Sequence, residues 1–359
     1  MSSTKPREEA TALHWPTGIE PVRIGRFSAR IELRAAIWTT VFLLAAAAVG
    51  IWSLTVGSAG VGLSEVISAF QGGAGTGTTR IVLEWRLPRV VFALLAGAAL
   101  AVGGAVFQSI TRNPLGSPDI IGFSSGAYTG ALLVAVLATG SAWGTSLGAL
   151  AGGVITGVAV YLLAFKQGIS AARIIVVGIG VSMFLAAFNT WLLTTMRLEQ
   201  AISAASWGAG SLADIGWVHT IPVLIGVLIC VPIVLALAAD MRMLEMGDDA
   251  GRGVGVRAEM VRVILLLMGI LLVALVTASA GPIAFVALAA PQLAMRVTGT
   301  PGVRIIPAAV LGALLLVVSD LIARTIIAPA QLPVGVVTLC LGGAYLVRLL
   351  ATSGTRGRR

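Results

Sequence analysis

Few side chains in this sequence could carry chemistry, and none of them is grouped to do so. A phosphate-cradling P-loop needs Gly-Lys-Ser or Gly-Lys-Thr. Of the 24 basic residues only Lys5 and Lys166 are lysine, and they precede Pro6 and Gln167, so the chain offers no ATP site of its own. His14 and His219 are far apart and suggest no ligand pair. Cys230 and Cys340 fall inside apolar runs and read as small buried hydrophobes, not as a disulfide or metal site. Intramembrane proteolysis would need a buried serine with a basic partner, or paired aspartates, and only His219 comes near an apolar run. Ion-coupled transport usually needs an ionisable group deep in a span. The acids here lie in polar stretches or near the ends of apolar runs. Asp320 is the nearest to an exception. It stands four residues before Arg324, on the same helix face, and reads as a structural pair, with a coupling role as the alternative.

The elements that must hold these residues are set by composition. The chain is 57% hydrophobic and 11% charged, against about 25% charged residues in an ordinary soluble domain. Its mean hydropathy is +0.99. The apolar residues come in uncharged blocks, such as those between Arg89 and Arg112, Arg173 and Arg197, Asp214 and Asp240, and Arg324 and Arg348. Each is long enough for a spanning helix of roughly 20 residues, and none shows the alternation of barrel strands. The fold class expected is an all-α polytopic membrane protein with ten spans, near 35–56, 88–109, 119–138, 145–165, 173–195, 218–239, 261–280, 283–297, 304–323 and 332–350. Residues 1–34 read as a disordered basic tail, 35–350 as the transmembrane domain and 351–359 as a short basic tail. No cleavable signal peptide is visible at the start.

Charge sets the orientation. With the N-terminus inside, 19 basic residues face the cytoplasm and only Arg80, Arg86, Arg89, Arg197 and Arg324 lie outside. The net charge of +9 is therefore an insertion signal; scattered over loops and not interleaved with aromatics, it does not suggest nucleic-acid binding. Both termini are expected in the cytoplasm.

Two segments break the apolar pattern. Between spans 2 and 3 stands Asn113-Pro114-Leu115-Gly116-Ser117-Pro118. Proline removes a backbone donor and disfavours helix at the residue before it, and irregular backbone at membrane depth is tolerated only beside protein or a water-filled cavity. This points to the inner mouth of a pathway, with a plain tight turn as the alternative. After span 6 comes Leu244-Glu245-Met246-Gly247-Asp248-Asp249, followed by Gly251, Gly253 and Gly255. Acids suit the N-terminal end of a short helix, and the glycines permit a sharp turn. A merely solvated loop is the alternative.

The stretch RLPRVVFALLAGAALAVGGAVFQSITRNPLGSPDIIGFSSGA (86–127) resembles the permease subunits of bacterial ATP-binding-cassette (ABC) importers for iron–siderophores, haem and vitamin B12, the FecCD type. WGAGSLADIGW (207–217), LEMGDDAGRGVGV (244–256) and the region 281–343 follow the same family in the same order. The resemblance covers about residues 35–350. It implies ten helices per subunit, a dimer with a second copy or a related subunit, two cytoplasmic ATPase subunits that use the ATP, and an extracytoplasmic binding protein or lipoprotein. The chain itself would be a non-catalytic subunit, multi-pass in the bacterial cytoplasmic membrane, binding neither cofactor nor metal.

Residue by residue, the resemblance makes Asn113 and Leu115 part of a cytoplasmic gate, with Ser170 and Ala171 as a second gate strip in which a small apolar residue replaces the family's hydroxyl. It makes 244–255 the ATPase-coupling segment. It pairs Arg86, Arg89 and Arg324 with glutamates of the binding protein, where snorkelling arginines are the alternative. Trp207 is either an interfacial anchor or a cavity wall. Gln292 stands where most relatives carry histidine. The substrate expected is a ferric siderophore; haem and cobalamin stay open, as does, more remotely, an ion-coupled carrier.

Overall fold

The structure, a computed structural model, describes residues 19–24, 27–57, 59–137, 142–164 and 171–356. A hairpin of β1 (Ile19–Ile24) and β2 (Phe27–Glu32) precedes the helices, antiparallel, with Ile19 opposite Glu32 and Ile24 opposite Phe27. The expected disordered tail thus contains ordered strand. The period-two pattern of Phe27, Ala29 and Ile31 against Ser28, Arg30 and Glu32 is the local reason. Residues 1–18, 25 and 26 of that tail lie outside the described residues.

The helices follow in order: α1 (Leu33–Thr55), α2 (Leu63–Phe70), α3 (Thr76–Arg80), α4 (Leu87–Thr111), α5 (Phe123–Leu137), α6 (Ala142–Ala164), α7 (Ala171–Thr195), α8 (Leu198–Gly208), α9 (Trp217–Ala236), α10 (Ala238–Glu245), α11 (Asp248–Gly253), α12 (Ala258–Ala280), α13 (Val286–Thr298), α14 (Ile305–Thr325) and α15 (Val334–Arg356). A π-helical turn, Ile81–Arg86, joins α3 to α4, and a 3₁₀ turn, Pro118–Ile121, precedes α5. All ten expected spans coincide with a helix. Seven described helices are long and apolar enough to cross a membrane; α5 and the apolar part of α15 are shorter, and α13 has only 13 residues. α13 is short because Gly281-Pro282 breaks the run and Gly299, at φ 72°, ends it. α15 continues to Arg356, so most of the expected C-terminal tail is helix.

α4 is the central helix. It packs against α1, α9, α12, α13 and α14, and Phe92, Ala93, Ala96, Ala99, Leu100, Ala101, Val102 and Phe107 are buried around its whole circumference. A helix apolar all round must be enclosed by others. Small residues let the backbones meet: a side chain on Gly97 would strike the Gly312 carbonyl of α14, and one on Gly104 the Ala287 carbonyl of α13. α5 and α6 interlock through Gly126, Gly130, Gly148 and Gly152 in the same way. Helices in lipid gain chiefly from such close packing. We call the end of the bundle that holds β2 and the α4–α5 turn proximal, and the opposite end distal.

Candidate functional sites: a gate turn, a docking segment and a distal arginine cluster

α4 ends in a Schellman motif. Asn113 N–H donates to the Gln108 carbonyl at 3.1 Å and Arg112 N–H to that of Ser109 at 3.2 Å. Arg112 occupies the left-handed region, φ 50° and ψ 34°. Asn113 then folds the chain back, its Oδ1 accepting from Leu115 N–H at 2.9 Å, while Gly116 N–H donates to the Asn113 carbonyl at 2.9 Å. Pro114 has no donor to lose here. The result is a tight turn that leaves Leu115 47% exposed, with Gly116 and Ser117 buried beneath it. A side chain on Gly116 would meet Thr111 Oγ1 at 2.5 Å, so the turn is closed against α4. Of the second expected gate strip, Ser170 lies outside the described residues and Ala171 opens α7.

The segment after α9 forms the two short helices α10 and α11. Gly247, at φ 122°, makes the corner between them, and Gly255, at φ 87°, ends α11 with Val256 N–H donating to the Gly251 carbonyl. Asp248 and Asp249 sit in the first turn of α11, where the helix dipole favours them. Leu244 and Gly251 face inward, while Met246 and Val254 are 74% and 66% exposed. Three bonds fasten the segment to the end of α4: Ser109 Oγ to Glu245 Oε1 at 2.6 Å, Arg112 Nε to the Leu244 carbonyl at 3.0 Å, and Arg112 Nη2 to Asp248 Oδ1 at 2.5 Å. Arg262 of α12 holds both oxygens of Asp248 at 2.9 Å. The Arg262 hydrogen bonds, with the charge of Arg112 behind them, keep the Asp248 carboxyl below the usual carboxylate range. The structure therefore brings the turn at Asn113–Ser117 and the acidic segment together. Sequence reasoning missed Ser109, Arg112 and Arg262 as site residues. The signal available was Arg112 itself, the lone charge between Arg89 and Asp119, which entered the reading only as an orientation marker.

At the distal end the three outward arginines converge, but inward. Arg89 Nε and Nη2 donate to Asp320 Oδ1 at 3.0 and 2.8 Å, and Nη1 donates to Gln331 Oε1 at 2.9 Å. Arg324 Nε lies 3.2 Å from Asp320 Oδ2, a charge contact without the alignment of a hydrogen bond, and Nη2 donates to Ser53 Oγ. Arg86 Nη1 donates to the Leu54 carbonyl at 2.7 Å. Arg86 and Arg89 are each 8% exposed, and Asp320 is fully buried. The expected Asp320–Arg324 pair is present, joined by Arg89 from α4. None of the three guanidiniums presents itself at the surface as arranged here.

A cavity of about 840 Å³ opens at the same end, walled by Tyr128, Glu199, Trp207, Asp214 and His219 among others. Trp207 stacks on Tyr128 with centroids 6.2 Å apart, and Tyr128 donates its hydroxyl to the Ala204 carbonyl. Of the two roles read for Trp207, the structure places it in the cavity wall. Gln292 donates to Gln108 Oε1 at 2.7 Å, and Gln108 to the Leu288 carbonyl at 3.0 Å, an amide pair that ties α13 to α4. Among the described residues no group of His, Cys, Asp and Glu could hold a metal ion.

A bundle whose described residues include seven helices long and apolar enough to cross a membrane is that of an integral membrane protein. The match to the FecCD transport family spans residues 43–352, and the chain belongs to that family. It is similar to the ferric enterobactin transport system permease protein FepG of Escherichia coli, with 46% identity over 88% of this chain and 96% of that one. Similarity to the achromobactin transport system permease protein CbrC of Dickeya dadantii is 38%, over 91% and 95%. Among solved structures, an inward-facing ABC transporter described as of metal-chelate type superposes with a TM-score of 0.78 at 26% identity, over 88% of this chain and 99% of that one.

Proposed function

We propose that this chain is the permease subunit of an ABC importer and moves a ferric siderophore across the cytoplasmic membrane by alternating access. Two partner ATPases power the movement, and an extracytoplasmic binding protein delivers the chelate. The carrying observation is the end-to-end likeness to a ferric enterobactin permease, 46% identical over 96% of that protein. The geometry supports the division of labour. Lacking a P-loop, the chain must receive its energy from outside, and α10–α11 offers the exposed Met246 and Val254 on a segment fastened to the gate turn. In this reading Asn113 and Leu115 belong to the cytoplasmic gate, Ser170 and Ala171 to its second strip, and 244–255 docks in a groove of the ATPase. The proximal end then faces the cytoplasm, with both termini.

A binding protein would dock at the distal end. Its glutamates can pair with Arg86, Arg89 and Arg324 only if these let go of Leu54, Asp320 and Ser53, since an acidic partner must compete with bonds already made. The second permease subunit is a further copy or a related chain.

The test is uptake of radiolabelled substrate in a strain deleted for this chain and complemented with it, comparing ferric enterobactin, ferric citrate, haem and cobalamin. Restored uptake of a ferric siderophore alone is expected. Restoration of haem or cobalamin uptake instead would overturn the substrate, and uptake abolished by a membrane-potential uncoupler while ATP persists would overturn the class.

A further inference from the structure

The C′ position of a Schellman motif is ordinarily glycine, because an L side chain is strained in the left-handed region. α11 follows that rule with Gly255, and α13, whose end makes the single bond from Gly299 N–H to the Met295 carbonyl, also places glycine there. α4 does not: Arg112 holds the position at φ 50°. Its side chain is committed elsewhere, Nε to the Leu244 carbonyl that ends α10 and Nη2 to Asp248 that begins α11. Asp248 is in turn held from its other side by Arg262 of α12. The backbone of Arg112 is equally committed. It donates to Ser109, and the next residue, Asn113, is fixed by its own bonds to Gln108 and Leu115. A shift of the α10–α11 corner therefore pulls on a guanidinium whose backbone is one residue from the gate asparagine and three from Leu115.

We infer that Arg112 is the strut through which displacement of the α10–α11 segment moves the gate turn, with Asp248 as its anchor and Arg262 as the stay that fixes the anchor to α12. The inference rests on the permease reading above. Arg112 is a positioning residue: it acts through Leu244 and Asp248, and its side chain stands where the turn alone would prefer none.

That conflict supplies the test. Arg112→Gly keeps the turn and relieves the backbone, yet removes the strut. The full transporter is reconstituted in vesicles with its ATPases and binding protein. Uptake of radioiron-labelled ferric enterobactin is divided by phosphate released, and thermal unfolding is followed on the same samples. Arg112→Gly is expected to unfold no lower than the parent but to lose about tenfold in uptake per ATP, within the range usual for coupling between two sites. Arg112→Lys, which keeps the charge but loses the fork, should recover part of it. Asp248→Asn should fall similarly, and the double variant no further than the worse single. If Arg112→Gly fails to assemble, Asp248→Asn carries the test alone. A parental ratio in whichever of these variants assembles overturns the strut. A parent complex that hydrolyses ATP but takes up neither the siderophore nor any other chelate overturns the permease reading, and the strut with it.

Discussion

Asp320 is the residue on which the distal end turns. Fully buried, it answers two guanidiniums, Arg89 and Arg324, from α4 and from its own helix. Removing one member of a buried ion pair leaves the others charged without a counter-ion, at a cost of about 3–5 kcal/mol. Asp320→Asn should therefore lower the unfolding temperature of the detergent-purified protein and its yield. A variant as stable as the parent would show that the arginines find other partners. The Asp320–Arg324 pair was legible from i,i+4 spacing alone. That Arg89 completes it was not, because the contact joins residues 231 apart in sequence and depends on how α14 lies against α4. The same blindness made Arg86, Arg89 and Arg324 look outward. Charge counts locate the end of a span, but not the direction of a side chain.

Asp248 gives a pH signature at the proximal end. Arg262 and Arg112 depress its carboxyl in the folded chain. A depressed acid contributes stability that is fully present above its unfolded pKa, about 3.9, and is lost as pH falls through the lower folded value. The stability difference between the parent and Asp248→Asn should accordingly be constant from about pH 8 to about pH 5 and shrink below about pH 4. Thermal unfolding across that range checks it; a difference that changes between pH 8 and 5 would assign the effect to another group.

At the scale of elements, the two broken segments were the most legible part of the site. Proline and glycine announce a turn wherever the apolar pattern stops, and both turns are there. What the sequence could not say is that they touch. The bonds from Ser109 and Arg112 to Glu245, Leu244 and Asp248 span more than 130 residues, and no periodicity encodes them. Gly253 tests the docking role of α11 separately. A Cβ built there meets nothing within 4 Å, so the position opens onto free space. Gly253→Val is expected to insert and fold as the parent does and to lower uptake per ATP several-fold through a clash with the ATPase, read by uptake and phosphate release in parallel. Parental uptake would remove α11 from the contact. The ten spans were legible because charge is confined to their ends; the β1–β2 hairpin was passed over because its alternating pattern lies in a basic stretch that also fits a tail.

The whole molecule is a packed bundle around α4. The distal arginine cluster, the Gln108–Gln292 amide pair and the proximal turn at Asn113 are joined along one helix, α4. Arg89 marks its distal end and Arg112 its proximal end, and between them Gly97 and Gly104 lock it against α14 and α13. A helix held at both ends in this way suits the function proposed above, in which partner proteins act on the bundle from either side. The family match covers the same bundle, from residue 43 to 352.

The decisive measurement is accumulation of radioiron-labelled ferric enterobactin in sealed vesicles that hold this chain, with and without its ATPases and binding protein, under ATP or under an imposed proton or sodium gradient. The account predicts uphill accumulation only when the partners and ATP are present together, and none from either gradient. Concentrative uptake by the chain alone, driven by an ion gradient, would contradict it.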